Sequence, residues 1–209
     1  MHQQHRVIFM TDPICSWCWG MLPEMQKTRE ALGDHLQFTI RCAGLQVGPR
    51  QPLSEARANE LIALWQQVAE TTGQTFAYRL PDDTSFVYHS EIACRAIQAC
   101  RNLSGTEPWT AFERLQRAFY IDCMNITDPE TLIRILDDSI TSRDAFLAAL
   151  TSNEIIEATR AEFAWCEAQA IQALPTVFLD QGAGPKLVCG GYATAEYLIP
   201  ELTARLSAS

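Results

Sequence analysis

No stretch of this 209-residue sequence approaches the roughly eighteen consecutive apolar residues that would predict a membrane-spanning helix. The chain also lacks an excess of basic residues: 25 acidic residues outnumber 16 basic ones, and the net charge is −9. This balance argues against nucleic acid and against a membrane surface as partners. No apolar leader segment precedes the first strand, so for a chain that begins natively at Met1 we expect a cytoplasmic protein.

The sequence has no second C-x-x-C pair and no pair of histidines at the spacing of a zinc finger. A structural zinc site usually needs four such ligands, so we predict no metal, and no motif points to a cofactor. A purely structural disulfide between Cys15 and Cys18 would close a very short loop and would constrain the unfolded chain little. These absences leave redox chemistry as the interpretation of the pair.

The pair stands in the segment Cys15-Ser16-Trp17-Cys18, which follows the short apolar run Val7-Ile8-Phe9-Met10. Asp12-Pro13 predicts a turn, and a helical pattern begins at Trp17. A dithiol at a helix N-terminus meets free backbone N–H groups and partial positive charge, which favour thiolate over thiol. Because the thiolate is the attacking species, this arrangement predicts a thiol–disulfide exchange site.

Six further cysteines lie scattered, mostly within apolar stretches of predicted helices and strands. Free cysteine is a frequent core residue, so in a reducing compartment we interpret them as small buried hydrophobic side chains. They are Cys42, Cys94, Cys100, Cys123, Cys166 and Cys189.

The hydrophobic periodicity predicts an α/β fold in the order β-α-β, a helical block, then β-β-α. Thr151 and Glu154 fit a capping box that opens a helix to about residue 171, and Asp128-Pro129 predicts another helix start. The predicted strands lie near 5–10, 36–42, 176–179 and 186–189, and the outer helices near 17–32 and 194–206.

We interpret the outer pieces as a thioredoxin fold (β-α-β … β-β-α) with an inserted all-helical domain. Residues 1–52 and 172–209 would form the thioredoxin-like domain, and residues 53–171 the helical insertion domain. The block is too long for a connecting loop, so it must pack as a layer of its own beside the dithiol.

The segment Asp12-Pro13-Ile14-Cys15-Ser16-Trp17-Cys18-Trp19-Gly20 resembles the active-site segment of the DsbA family of thioredoxin-like oxidoreductases, in particular its cytoplasmic FrnE-like branch. The resemblance implies that Cys15 attacks a substrate disulfide and that Cys18 resolves the mixed disulfide. Further matches extend it over nearly the whole chain: Ala43-Gly44-Leu45, Ala93-Cys94-Arg95-Ala96, Ala118-Phe119-Tyr120 and Gly191-Tyr192.

The resemblance also implies a cis Leu174-Pro175 bond that turns the Leu174 backbone toward the sulfurs, where it would pair with an extended substrate. We expect Ser16 and Trp17 to contribute to substrate binding, with Trp17 partly exposed and Trp19 in the core. The family usually has glycine and phenylalanine where this chain has Ala173 and Leu174, which predicts a different substrate preference.

Two polar residues receive separate interpretations. We interpret Asp12 as a turn residue rather than a catalytic acid. His89 stands where relatives commonly have Asp or Asn, at the start of a helix in the insert. It is either a capping or surface residue, or a proton-transfer group near the dithiol.

The sequence therefore predicts a thiol–disulfide oxidoreductase, working as a reductase or isomerase on a protein or small molecule with a thiol or disulfide, glutathione among the candidates. The alternative is a glutathione-dependent isomerase or transferase, related to 2-hydroxychromene-2-carboxylate isomerases and kappa-class glutathione transferases. Those proteins typically have serine where this chain has Cys15. A third possibility is a non-catalytic binding module that uses the helical insert.

Overall fold

The computed structural model describes residues 5–48, 53–83, 85–137, 140, 142–170 and 173–207. Over these ranges, no helix combines the length and the apolar character needed to cross a bilayer. The elements are, in chain order, β1 (Arg6–Thr11), α1 (Ser16–Leu32), β2 (Gln37–Cys42), α2 (Glu55–Thr72), α3 (Glu91–Ser104), α4 (Trp109–Tyr120), α5 (Pro129–Leu136), α6 (Arg143–Thr151), α7 (Asn153–Ala168), β3 (Thr176–Asp180), β4 (Pro185–Gly190) and α8 (Ala195–Ser207).

The four strands form one mixed sheet in the order β2-β1-β3-β4. Strand β2 runs parallel to β1 with Cys42 opposite Thr11, and β3 runs antiparallel to β1 with Thr176 opposite Met10. The chain therefore leaves β1, leaves β2 and enters β3 at the same edge of the sheet, which is formed by the ends of these strands. This edge brings together the three segments 12–15, 43–47 and 173–175.

The observed order confirms the predicted fold class: β-α-β, then helices α2 to α7, then β-β-α. The division into domains at 52/53 and 171/172 stays a prediction, and residues 49–52, 171 and 172 lie outside the described residues.

Strand β1 is buried on both faces. Val7 and Phe9 belong to the large hydrophobic core, which contains the buried face of α1. Ile8 and Met10 point the other way, into a smaller cluster with Cys166 of α7. Because side chains alternate along a strand, α1 and α7 lie against opposite faces of the sheet.

The outer edge of β2 is covered by side chains from the helical block. An edge strand with unpaired N–H and C=O groups along its free side can pair with a strand of another molecule. Here side chains of the insert form hydrogen bonds with those groups of β2. The same contacts fasten the helical layer to the sheet. They run from Trp109 Nε1 to Phe38 O at 3.1 Å, from Ile40 N to Glu107 Oε2 at 3.2 Å, from Arg101 to Ile40 O at 2.8 Å, and from Cys42 N to Glu162 Oε1 at 3.1 Å.

Helices α5 and α7 begin at N-cap residues whose side chains accept a backbone hydrogen bond, and the cap of α7 differs from the predicted one. Asp128 caps α5 as predicted, accepting a hydrogen bond from Thr131 N at 2.8 Å. Helix α7 is capped by Ser152, whose hydroxyl accepts from Ile155 N at 3.2 Å, rather than by Thr151. Thr151 is already the last residue of α6, and its own hydroxyl donates to Leu147 O. The helix ends at Ala168, earlier than predicted.

The two neighbouring hydroxyls provide a direct test of this cap. We expect Ser152→Ala to lower the free energy of unfolding by about 1 kcal/mol, because it removes the acceptor for an N–H group of α7. Thr151→Ala, the change at the residue predicted from sequence, should cost clearly less. Urea denaturation of both variants measures the difference, and an equal or larger loss for Thr151→Ala would contradict the assignment.

Candidate active site

The dithiol lies at the start of α1, with Cys15 as the N-cap residue. The Cys15 backbone is extended (φ −87°, ψ 111°), and its Sγ accepts a hydrogen bond from Cys18 N at 3.3 Å. The turn before it is closed by Cys15 N donating to Asp12 O at 3.1 Å. A sulfur in the position usually held by a capping oxygen meets the free N–H groups and the positive end of the helix dipole, which stabilise negative charge there.

The two sulfurs have different surroundings. Cys15 is 5% exposed, whereas Cys18 is fully enclosed. Burial, and after it the neighbouring Cys15 sulfur, hold the pKa of the Cys18 thiol well above its usual value, while the Thr11 hydroxyl and the Asp12 backbone lower it. Burial therefore favours the protonated form of Cys18, and Cys15 is the sulfur that lies at the positive end of the helix dipole.

Asp12 lies fully buried behind the cysteine turn. Its Oδ1 accepts from Ile14 N at 3.0 Å, which confirms the predicted turn role, and its Oδ2 accepts from Leu45 N at 2.7 Å. The Cys94 thiol lies 3.8 Å from the same Oδ2. Burial raises the pKa of Asp12, and the two backbone N–H groups oppose that rise. One carboxyl group thus joins the dithiol turn to the loop after β2, a contact that the sequence did not predict.

The segment before β3 faces this turn across the sheet edge. The Leu174–Pro175 bond is cis, as the resemblance implied. Pro175 O accepts a hydrogen bond from Gly191 N at 2.8 Å, and Thr176 Oγ1 donates to Ala173 O at 2.6 Å. The segment is therefore held in place by the residue that follows β4 and by the first residue of β3.

The two tryptophans of the motif divide as predicted. Trp17 is half-buried, and its ring centroid lies 6.4 Å from that of Tyr192. Trp19 is buried, stacks on Tyr120 with centroids 6.0 Å apart, and donates its indole N–H to Thr75 O at 2.9 Å. Ser16 between the cysteines is buried as well, and its predicted role in substrate binding, like that of Trp17, stays a prediction.

Two tyrosines of the insert border the dithiol, a role that the sequence did not predict. The Tyr88 hydroxyl donates to Ile14 O at 3.0 Å. Burial raises the pKa of Tyr88, and the negative charge of Cys15 adds to the rise. Burial also holds the pKa of Tyr120 well above its usual value, with Tyr88 and Cys15 contributing. Only Tyr120 stood in a segment that the sequence had singled out, and no periodic pattern pointed to either hydroxyl.

His89 is buried rather than exposed at the surface, and its Nδ1 accepts from Glu91 N at 3.4 Å. This contact with the first residue of α3 fits the capping interpretation, and the proton-transfer role of His89 stays a prediction.

All eight cysteines have free thiols, and their burial corrects part of the sequence prediction. Cys42, Cys94, Cys100 and Cys166 are buried as expected. Cys123 and Cys189 are only half-buried, since Cys123 lies in the loop after α4 and Cys189 lies on the edge strand β4. Within the described ranges, no three His, Cys, Asp or Glu side chains are grouped so that they could hold a metal ion.

Comparison with known proteins assigns most of the chain to one protein family. The model of the DSBA-like thioredoxin domain matches residues 6–194. A curated relative, the ClpXP adapter protein SpxH of Bacillus subtilis, is 22% identical over 177 residues, which are 82% of this chain and 56% of that protein. The SpxH of Shouchella clausii is matched over 62% of its length, so the chain spans less than two thirds of these relatives.

Solved structures share the fold over nearly the full chain. A proposed protein disulfide isomerase of Nitrosomonas europaea is 25% identical with a TM-score of 0.89, covering 98% of both chains. The cytosolic disulfide reductase DsbM of Pseudomonas aeruginosa, also solved with GSH, is 22% identical with a TM-score of 0.75, covering 98% of this chain and 100% of its own. A 2-hydroxychromene-2-carboxylate isomerase is 17% identical with a TM-score of 0.62, covering 97% and 95%.

The electrostatics predict which thiols react. In the reduced protein at pH 8 we expect iodoacetamide to modify Cys15 long before Cys18, because burial and Cys15 keep Cys18 protonated. Burial raises the pKa of Cys100 to about 12 and that of Cys189 to about 11, so both should also react slowly. Timed labelling with mass spectrometry measures the order. Modification of Cys18 or Cys189 before Cys15 would show that this description of the site is wrong.

The buried carboxyl group gives a second prediction. Asp12→Ala leaves the N–H groups of Ile14 and Leu45 without acceptors and should cost about 3 kcal/mol of stability. Burial raises the pKa of Asp12 in the folded state. The contribution of Asp12 to the free energy of unfolding is therefore largest below pH 3.8, its usual pKa, and declines as the pH rises through the folded-state pKa. The loss should therefore be smaller at pH 8 than at pH 4.

Urea denaturation at both pH values measures these losses, with Asp34→Ala on the exposed turn after α1 as the matched control. That control should change stability by less than about 0.5 kcal/mol. A loss for Asp12→Ala that matched the control, or that grew with pH, would contradict the prediction.

Proposed function

The chain belongs to the family of DSBA-like thioredoxin domains, and we propose that it is a thiol–disulfide oxidoreductase that uses Cys15 and Cys18 as its dithiol. One observation carries the proposal. The Cys15 sulfur caps α1 and accepts the Cys18 N–H, while the Cys18 thiol beside it is enclosed and protonated. A dithiol exchange site needs one sulfur that can attack as a thiolate and a second sulfur close enough to resolve the mixed disulfide.

The reaction transfers two electrons from the dithiol to a substrate disulfide. The Cys15 thiolate attacks one substrate sulfur, the substrate S–S bond breaks, and the departing sulfur takes up a proton. Cys18 then loses its proton and attacks Cys15, which releases the second substrate thiol and leaves a Cys15–Cys18 disulfide. Two molecules of a thiol such as glutathione restore the dithiol. In isomerisation a thiol of the substrate itself displaces Cys15, and no net electrons are transferred.

Leu174, Pro175 and Trp17 form the substrate-facing wall in this proposal. The three segments that meet at the sheet edge put residues 173–175 next to the cysteine turn. The Leu174 backbone pairs with an extended substrate strand, and the half-buried Trp17 offers apolar contact area. Ser16, which is buried, contributes through the shape of the turn.

The substrates are proteins or small molecules that contain a thiol or a disulfide, and the protein works in the cytoplasm. The likeness to a cytosolic disulfide reductase that was also solved with GSH supports glutathione as a reductant and supports this location.

The second candidate is a glutathione-dependent isomerase, which the likeness in fold to a 2-hydroxychromene-2-carboxylate isomerase supports. The presence of both cysteines favours exchange. A third class is a non-catalytic binding module, which the relatives' name, ClpXP adapter protein, brings to mind, but such a module gives no use to the two sulfurs paired at the start of α1.

Three cysteine variants test the mechanism. Cys15→Ser should abolish the reduction of a protein disulfide such as that of insulin with glutathione as the reductant, because the attacking sulfur is lost. Cys18→Ala should still attack but should accumulate mixed disulfides, visible by mass spectrometry, because nothing resolves them. Cys123→Ser, which changes a half-buried cysteine outside the site, should keep full turnover and serves as the control.

Normal multiple turnover by Cys18→Ala would overturn the dithiol mechanism. If that variant also kept a glutathione-dependent isomerase activity, the second candidate would be the better assignment.

A further inference from the structure

A cavity of about 390 Å³ opens at the sheet edge that carries the dithiol. Met10 and Cys166 line it from the sheet and from α7, and the loop 43–47 lines one side. Leu174, the residue before the cis proline, lines another. Met10 points away from the α1 face of the sheet, so the cavity lies on the opposite face from the helix that begins at the dithiol.

The loop 43–47 is held firmly by hydrogen bonds. Leu45 N donates to the buried Asp12 carboxylate at 2.7 Å, and Gln46 O accepts from Ser90 N at 2.9 Å. Gly44 has φ +67°, and a Cβ there would lie 3.0 Å from ring atoms of Phe163. Only glycine allows this close approach, which closes the loop onto α7.

This firmly held loop nevertheless presents large apolar side chains to solvent. Leu45 is 43% exposed and Val47 is 47% exposed, both beside the cavity. Solvent-exposed apolar residues on an ordered loop next to a mostly apolar concavity are typical of a preformed binding site. Glu167, exposed on α7, adds a negative charge to the lining.

Leu174 lines the cavity and also stands where substrate would bind. In the proposed function, an extended substrate segment pairs with the Leu174 backbone. Side chains of an extended segment point alternately to opposite sides. When the substrate cysteine points to Cys15 on the α1 side, the residue next to it in the substrate sequence points to the α7 side, into the cavity.

We propose that this cavity is a subsite for an apolar side chain adjacent to the reactive cysteine of a polypeptide disulfide. The inference rests on the proposed function and narrows its substrate class to polypeptides with leucine, methionine or phenylalanine at that position. An acidic residue there is disfavoured by Glu167 and by desolvation. Glutathione has only glycine and a γ-glutamyl group beside its cysteine, so it reacts at Cys15 without filling the cavity.

The test uses mixed disulfides between glutathione and short cysteine peptides. The peptides differ only in the residue on either side of the cysteine, which is leucine in one peptide, serine in the second and glutamate in the third. Glutathione disulfide is measured in parallel, and the rate with dithiothreitol corrects for the intrinsic reactivity of each peptide. For the unaltered protein we expect kcat/KM to be about tenfold higher for the leucine peptide than for the serine peptide, and lowest for glutamate.

Two variants locate the preference. In Leu45→Ser/Val47→Ser the ratio between the leucine and serine peptides should fall close to one. Leu103→Ser changes a leucine that is 36% exposed near the end of α3, and it should retain the tenfold ratio. Circular dichroism confirms that both proteins are folded, which is expected for changes at exposed positions.

The outcomes separate the two proposals. If the unaltered protein reduces glutathione disulfide but treats leucine and serine peptides alike, the subsite is refuted and the proposed function stands. If it reduces neither glutathione disulfide nor any peptide, the proposed function itself fails. A preference for leucine that survives in Leu45→Ser/Val47→Ser would place the apolar contact elsewhere and would also refute the subsite.

Discussion

The arrangement of the whole site depends on the buried carboxyl group of Asp12. It accepts hydrogen bonds from Ile14 N in the dithiol turn and from Leu45 N in the loop after β2, and the Cys94 thiol of α3 lies beside it. Burial of a carboxylate is costly, which is why its pKa is raised, and hydrogen bonds to a charged group offset about 1.5–3 kcal/mol each. This one carboxyl group thus joins the turn, the loop and the helical layer at a single point beside the sulfurs.

A second buried carboxyl group completes the attachment on the other side of β2. Glu162 of α7 accepts from Cys42 N at 3.1 Å and from the Gln98 side chain, and Arg101 lies 3.5 Å away. Burial raises the pKa of Glu162, and Arg101 opposes the rise. Two buried carboxyl groups thus hold this part of the chain: Glu162 of α7 binds Cys42 at the end of β2, and Asp12 in the turn after β1 binds Leu45 in the loop that follows. The helical insert therefore belongs to the site, because it fixes where the loop 43–47 lies.

The parts that the sequence predicted well are those fixed by local pattern. Short apolar runs identified β1 and β3, alternation identified β2, and the dithiol was recognised from the spacing of its two cysteines at a predicted helix start. The cap of α7 was wrong by one residue, because Thr151 and Glu154 have the spacing of a capping box, but α6 extends to Thr151 and leaves Ser152 as the cap. The roles of Tyr88 and Glu162 were missed for a different reason. Their partners, Ile14 and Cys42, lie 74 and 120 residues away in sequence, and no local pattern records such contacts.

The two sulfurs of the dithiol also determine the order of steps in the proposed exchange. Burial and two effects of Cys15, a hydrogen bond and its negative charge, raise the pKa of Cys18. When Cys15 forms a mixed disulfide, its sulfur becomes neutral, and both effects of Cys15 disappear. The Thr11 hydroxyl and the Asp12 backbone, which lower the pKa, then act against burial alone. Cys18 therefore becomes easier to ionise only after Cys15 has reacted, so attack by Cys15 precedes resolution by Cys18 for an electrostatic reason.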